Sequence, residues 1–249
     1  IVNNTIFNAP YGVYMGAYST GNNISDNNCS RVAIGFYFDS ASTDNYGNGN
    51  VGSVVDEDTN LNFHSFVPPI EISNCRALSQ PGATYLLTSD VSSSETCFTI
   101  AADNITLDCQ GHVIEGQGLS YGIHLNGRTN VTVKNCIVRG FQFGIYLRHS
   151  NFNTLLNNLA SNNHHGIYLA YSNYTTLINN TVSSNKEDGI LICSFSNSNN
   201  LINNTVSNNR NGIHIEAASS DNTLTNNNIN SNNNGIYISA SSTNNIVYH

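Results

Sequence analysis

Apolar residues recur along the chain in short alternating bursts at a nearly fixed interval. A Gly–apolar–X–apolar tetrad opens at Gly122, Gly144, Gly166, Gly189, Gly212 and Gly235, with spacings of 22, 22, 23, 23 and 23 residues. Two more copies, at Gly12 and Gly35, are again 23 apart. Between tetrads lies a second element, seen as Leu155-Leu-Asn-Asn158, Leu177-Ile-Asn-Asn180, Leu201-Ile-Asn-Asn204 and Leu224-Thr-Asn-Asn227, with Ile1-Val-Asn-Asn4 in the same column. Each unit therefore holds two or three strands of alternating polarity separated by Asn, Ser and Gly turns. Such a unit cannot bury its own apolar face. Stacking equivalent coils does so, each strand pairing in parallel with its counterpart about 4.8 Å away. The interior then becomes columns of one residue type, such as Ile123, Ile145, Ile167, Ile190, Ile213 and Ile236. The pattern predicts an all-β fold, a right-handed parallel β-helix with 22–23-residue coils. A leucine-rich repeat fits less well, because no helical segment falls between the strands.

The periodicity fails from about 41 to 96. Residues 1–50 read as the closing coils of one β-helix. Residues 51–74, with Pro68 and Pro69, read as a linker or crossing segment, and 75–249 as the opening of a second β-helix. The opening stretch runs from Cys75 through Cys97 to Asn104-Ile-Thr-Leu-Asp-Cys-Gln-Gly-His-Val-Ile114. It resembles the start of microbial β-helix proteins in the NosD-like carbohydrate-binding and sugar-hydrolase group, over residues 75–249. The resemblance implies a β-helix in an extracytoplasmic or surface setting, with roles from glycan binding to pure scaffolding, and it fixes no reaction.

The chain starts at Ile1 and ends at His249 in mid-coil, which reads as a processed protein or a window cut from a longer one. Ile246 falls in the column of Ile1. A bare end coil exposes unpaired strand edges, so Ile1, Val2, Ile246 and Val247 are expected to form an assembly interface joining copies end to end.

Asn accounts for 45 of 249 residues, 31 of them after position 125. At repeated turns Asn tolerates left-handed backbone and can form side-chain ladders. The formal net charge is −8, with eight Lys plus Arg, so there is no basic face for nucleic acid. No apolar run reaches the length of a membrane-spanning helix. Among the six Cys, Cys75 and Cys97 bracket the opening segment and are expected to form a disulfide. Cys109 and Cys136 lie near equivalent positions on successive coils, as a bridge or as two buried thiols. Cys29 aligns with inward Val182 and Val206 as a small core residue. Of the Asn-x-Ser/Thr sequons, those at Asn130 and Asn173 lie in outer turns and are possible glycosylation sites. Disulfides and sequons together point to an extracellular or cell-surface setting.

A β-helix glycosidase needs paired carboxylates, and a lyase or epimerase needs a base with a cation nearby. The carboxylates Asp103, Asp108, Glu115, Glu187, Asp188, Glu216 and Asp221 form no acidic column. Asp188 and Glu216 read as lying on different edges of their coils. His112 is expected to plug the cap, and His149 and His164-His165 to lie solvated in turns. The third tetrad position aligns Tyr14, Tyr37, His124, Tyr146, Tyr168, Leu191, His214 and Tyr237 in an outward stripe, of which the tyrosines are the candidate stacking surface. That stripe suits cross-coil stacking, lateral packing or glycan stacking. No metal or other cofactor is expected, apart from weak calcium binding by the oxygen-rich loop 44–50. These readings make the chain a non-enzymatic subunit of a surface fibre, stalk or sheath, with itself as principal partner. A glycan-binding or glycan-processing β-helix module is the alternative.

Overall fold

The computed structural model describes residues 4–7, 11–16, 22, 24, 27–31, 34–38, 54–56 and 69–248. Ile1, Val2 and the 44–50 loop lie outside them. The chain divides into two compact units, Ile1–Pro69 and Ile70–His249.

In the first unit, Thr5–Phe7 pairs in parallel with Asn28–Arg31. Tyr11–Met15, Ile34–Phe38 and Val54–Asp56 form a three-stranded parallel sheet. Val13, Met15, Ile24, Cys29 and Phe36 are buried. Within residues 51–74, expected to be a linker or a crossing segment, the described residues include two short strands. Val54–Asp56 extends the first unit's sheet, and the apolar alternation of Ile70–Ile72 pairs with Thr84–Leu87.

The second unit is a right-handed parallel β-helix of three sheets with no helix among the described residues. Sheet 1 has eight strands, from Arg76–Leu78 through the tetrad strands to Asn234–Ile238. Sheet 2 has nine, from Ile70–Ile72 to Ile246–Tyr248, and sheet 3 has seven, from Val91–Ser93 to Asn228–Asn230. The register is that of the repeat: Ile123 pairs with Ile145, then Ile167, Ile190, Ile213 and Ile236. Leu155, Leu177, Leu201 and Leu224 face the same core from sheet 2, and Val138, Ala160, Val182 and Val206 from sheet 3.

The tetrad glycines have a steric cause. A Cβ on Gly166 would lie 2.5 Å from Val182 Cγ1 and 2.6 Å from the Gly189 carbonyl oxygen. Gly122, Gly144, Gly189 and Gly212 meet the next coil's glycine carbonyl in the same way. The excess Asn is structural as well. Asn180 is fully buried. Its Oδ1 accepts from Asn158 N and Nδ2, both at 3.0 Å, while its Nδ2 donates to Leu155 O at 2.9 Å and Asn204 Oδ1 at 3.0 Å. Asn163, Asn185 and Asn209 repeat this at the next corner. Buried backbone groups where the chain turns between sheets, which no strand could satisfy, thus find partners in side chains. Ser150, Ser172, Ser196 and Ser219 form a hydroxyl ladder at the third corner, each backbone N–H donating to the next coil's Oγ.

Disulfides join Cys75 to Cys97 and Cys109 to Cys136 in the opening coils. Cys29 and Cys193 are buried free thiols. Ile246 and Val247 are exposed in the last described strand, beside a hollow of about 500 Å³ lined by Leu224, Ile229, Ile236 and Tyr248. No described helix is long and apolar enough to cross a membrane.

Candidate active site

On sheet 1 two positions of each coil point outward: the residue before the tetrad glycine and the third tetrad residue. The first column runs Tyr121, Phe143, His165, Asp188, Asn211 and Asn234. The second runs His124, Tyr146, Tyr168, Leu191, His214 and Tyr237. Because the coils stack in register, side chains 22–26 residues apart become neighbours. At the lower coils the face is aromatic. Tyr121 lies 4.5 Å from His124 and 5.2 Å from Tyr146, and Phe143 stacks on His165 at 5.3 Å.

Higher up, the face becomes ionisable. Asp188 is buried, with 5% of its surface exposed. His214 Nδ1 is 3.1 Å from its Oδ1, and Asn211 Nδ2 donates to the same oxygen at 2.8 Å. His165 Nδ1 lies 3.0 Å from Asp188 Oδ2, an ion-pair contact whose alignment falls short of a hydrogen bond. His214 Nε2 in turn faces Glu216 Oε2 at 3.5 Å. Burial alone would raise the Asp188 carboxyl, but the contacts of His165, His214 and Asn211 outweigh it and hold the group below the usual carboxylate range. A carboxylate at Nδ1 favours the Nδ1–H tautomer and leaves Nε2 as proton acceptor. Asp188, His214 and Glu216 thus form a chain of close ionisable contacts whose more exposed end is Glu216, although His214 Nε2 makes no hydrogen bond among the described residues.

Burial, then the Cys193 contact, pushes the Tyr168 phenol far up; burial also raises Tyr146 against the opposing charge of Arg148. Burial, followed by the Arg148 charge, lowers His124, disfavouring its protonated form. Tyr168 Oη is 3.3 Å from Cys193 Sγ, and Tyr146 and Tyr168 cover a small outer cluster of Ala170, Leu191 and Cys193.

The expected residues are distributed unevenly. Tyr146 and Tyr168 belong to this face, but they meet edge-on at 66° with 5.0 Å between centroids, so they do not form a flat platform. Tyr237 closes the upper end, stacked on His214 at 4.7 Å. Tyr14 and Tyr37 stack on each other at 4.9 Å in the first unit. His165 is not a solvated turn residue. It begins a strand, with 15% of its side chain exposed. Asp188 and Glu216, expected on different edges, are linked through the two ring nitrogens of His214. His112 does not plug the cap; it lies at the surface 3.1 Å from Asp90 Oδ1. Asn130 Nδ2 donates to Asn104 Oδ1 at 3.2 Å, and Asn173 Oδ1 accepts from Asn197 N at 2.6 Å, so both sequon asparagines sit within side-chain ladders. The cluster escapes a reading that compares carboxylates only with carboxylates. Writing out complete columns would have put His165 under Asp188, with His214 three residues on in the next coil.

A family model described as periplasmic copper-binding protein (NosD) matches residues 70–249. Comparison with curated protein sequences finds no match. Among solved structures, the A-module of mannuronan C-5 epimerase AlgE4 from Azotobacter vinelandii superposes with TM-score 0.57 at 14% identity. The match covers 97% of this chain and 68% of that one. A D317A mutant of the periplasmic alginate epimerase AlgG matches with TM-score 0.51 at 15% identity, over 91% of this chain and 76% of that one. The Dettilon tailspike protein gp208 matches with TM-score 0.50 at 17% identity, over 70% of this chain; the chain spans only 39% of the tailspike's length. At these identities the shared feature is the fold.

The expectation of a non-enzyme is corrected by this comparison. Two of these three coil stacks are epimerases, so the β-helix fold by itself is no argument against catalysis. The family's description also implies copper, for which imidazole, thiolate and thioether are the favoured ligands. Both His165 and His214 turn Nδ1 toward Asp188, and Cys193 Sγ turns to Tyr168 Oη. No group of three or more His, Cys, Asp or Glu side chains among the described residues is arranged to hold a metal ion. The described residues do not fit a resident copper ion, and no chemistry is assigned to one.

Proposed function

This chain belongs to the NosD family, and from that premise we propose that its second unit is a glycan-processing β-helix module acting outside the cytoplasm. The observation that carries the reading is the Asp188–His214–Glu216 chain set into an aromatic face. The neighbouring rings of Tyr121, Phe143 and Tyr146 offer apolar surface to a sugar chain, and the ionisable chain beside them supplies a proton acceptor next to a buried carboxylate. In the proposed reaction Glu216 takes the proton from the sugar carbon beside a uronate carboxylate, leaving the electron pair delocalised into that carboxylate, and a proton from Glu216 or solvent returns to the same carbon, while Asp188 positions His214 against Glu216. Arg148, two coils below Asp188 on the same sheet and close enough to act on Tyr146, places a cation beside the aromatic part of the face. A sugar carboxylate is the natural counterpart of that cation, so acidic polysaccharides are the leading substrate class. Two disulfides and the family's periplasmic description support an extracytoplasmic setting.

The test is incubation of the protein with polymannuronate, polygalacturonate and neutral glucans in deuterated water. NMR would follow exchange at sugar carbons and bond cleavage. Turnover on a polyuronate that falls about 100-fold in Asp188→Asn is expected. No turnover on any of the polymers, or full activity in Asp188→Asn, would overturn the reading.

A further inference from the structure

The corners of the β-helix require left-handed backbone, and at two of the three corners the sequence meets that demand with residues suited to it. After sheet 2 these are Asn135, Asn157, Asn179, Asn203 and Asn226; after sheet 3 they are Gly140, Asn162, Ser184, Asn208 and Ser231. The corner between sheets 1 and 2 differs. Its first left-handed column passes from Gly127 to His149, Tyr171 and Phe195, and its second from Asn130 to Phe152 and Tyr174, before returning to Ser198, Asp221 and Asn244. Bulky side chains at φ between 47° and 59° are unfavourable. Here they are confined to three successive coils at one corner, and none of them serves the core. Phe152, Tyr171, Tyr174 and Phe195 are 43–60% exposed. The rings are ordered against one another: Phe152 and Tyr174 are 4.9 Å apart at 6°, and His149 and Tyr171 are 4.6 Å apart at 16°.

A second observation points to the ligand. Between the two aromatic columns runs a line of half-buried amides, Asn151, Asn173 and Asn197. Each Oδ1 is committed to the stack, accepting from Asn173 N at 2.8 Å, Asn197 N at 2.6 Å and Ser220 N at 2.7 Å respectively. Their Nδ2 groups make no hydrogen bond within the described residues. The corner thus presents exposed rings beside uncharged donors repeated at the coil spacing of about 4.8 Å.

We propose that this corner is a saccharide-binding ledge, separate from the ionisable chain on sheet 1, that holds a neutral stretch of glycan along the stack axis. Sugar C–H faces and rims would pack against the rings, and sugar hydroxyls would accept from the amide donors. A membrane surface would leave the donors unused, and the donors themselves are uncharged amides, which suit sugar hydroxyls.

The test is calorimetric titration of the full chain with cellohexaose, mannohexaose and a galacturonate hexamer, with phosphatidylglycerol vesicles alongside. The decisive variant is the double substitution Phe152→Asn with Tyr174→Asn, since Asn already occupies that column at Asn130 and Asn244. One of the neutral hexasaccharides should bind, and the double variant should weaken it at least tenfold while its melting temperature stays the same or rises. Asp188→Asn should leave this affinity unchanged, which separates the ledge from the ionisable chain: loss of turnover alone bears on that chain only. Failure of both neutral hexasaccharides to bind, equal affinity in the double variant, or binding of vesicles in place of sugars would overturn the proposal.

Discussion

The interior and the outer face of sheet 1 are built from the same strands but follow opposite rules. Inside, each column keeps one kind of residue from coil to coil, as in the run of Ile from Ile123 to Ile213 and of buried Asn from Asn158 to Asn204. Outside, the column before the glycine changes from Tyr121 and Phe143 to His165, Asp188 and Asn211. Repetition answers a demand that recurs in every coil: an apolar side chain to fill the core and an amide to satisfy buried backbone. A column that stops repeating meets a demand found at one place only. In a solenoid, departure from the repeat is therefore a better guide to chemistry than the repeat itself.

That contrast has measurable consequences. Gly166→Ala places a Cβ against the Gly189 carbonyl and Val182 and should cost about 3 kcal/mol, read from denaturant unfolding. A change below about 0.5 kcal/mol would mean that the coils can spread apart, and that the glycine column is not set by close approach. Asp188→Asn should act on function and spare the fold, lowering turnover of a susceptible polyuronate about 100-fold with the circular dichroism unchanged. If that variant instead unfolds, the acid belongs with the interior columns. Asn180→Ala strips partners from buried Asn158 N–H and Leu155 carbonyl groups and should destabilise by about 2 kcal/mol. Asn151→Ala, on the half-exposed amide line, should change stability by less than about 0.5 kcal/mol.

The smallest effect expected is one of pH. The Asp188 carboxyl is depressed in the folded state, facing His165, His214 and Asn211, with Glu216 beyond His214. Its contribution to stability is complete above the unfolded carboxylate value near 3.9 and is lost as pH falls through the lower folded value. Unfolding curves taken below pH 4 should therefore be less pH-dependent in Asp188→Asn than in the wild type. Parallel curves would show that the pairing adds nothing to the fold.

Much of this was legible in the chain itself. The tetrad spacing determined the coil length, the parallel register and the identity of the core columns, because stacking leaves no other way to bury so regular an apolar face. Asn recurring at the turns signalled ladders, Cys75 and Cys97 stood out as the bracket of the opening segment, and Cys109 and Cys136 fell on successive coils with a bridge and two buried thiols both open until the structure joined them. Tertiary structure alone decided that the residue before each tetrad glycine points outward beside the third tetrad residue. From that follow the meeting of Asp188 with His165 and His214, and the tilt of Tyr168 over Cys193. It also decided which turns are left-handed, and so that Phe152 and Tyr174 are aromatics held in backbone suited to Asn or Gly. The reason is geometric. A repeat specifies which residues share a level and a column, whereas side-chain direction depends on where each coil bends between sheets, and short strands with near-identical turns leave that bend unmarked.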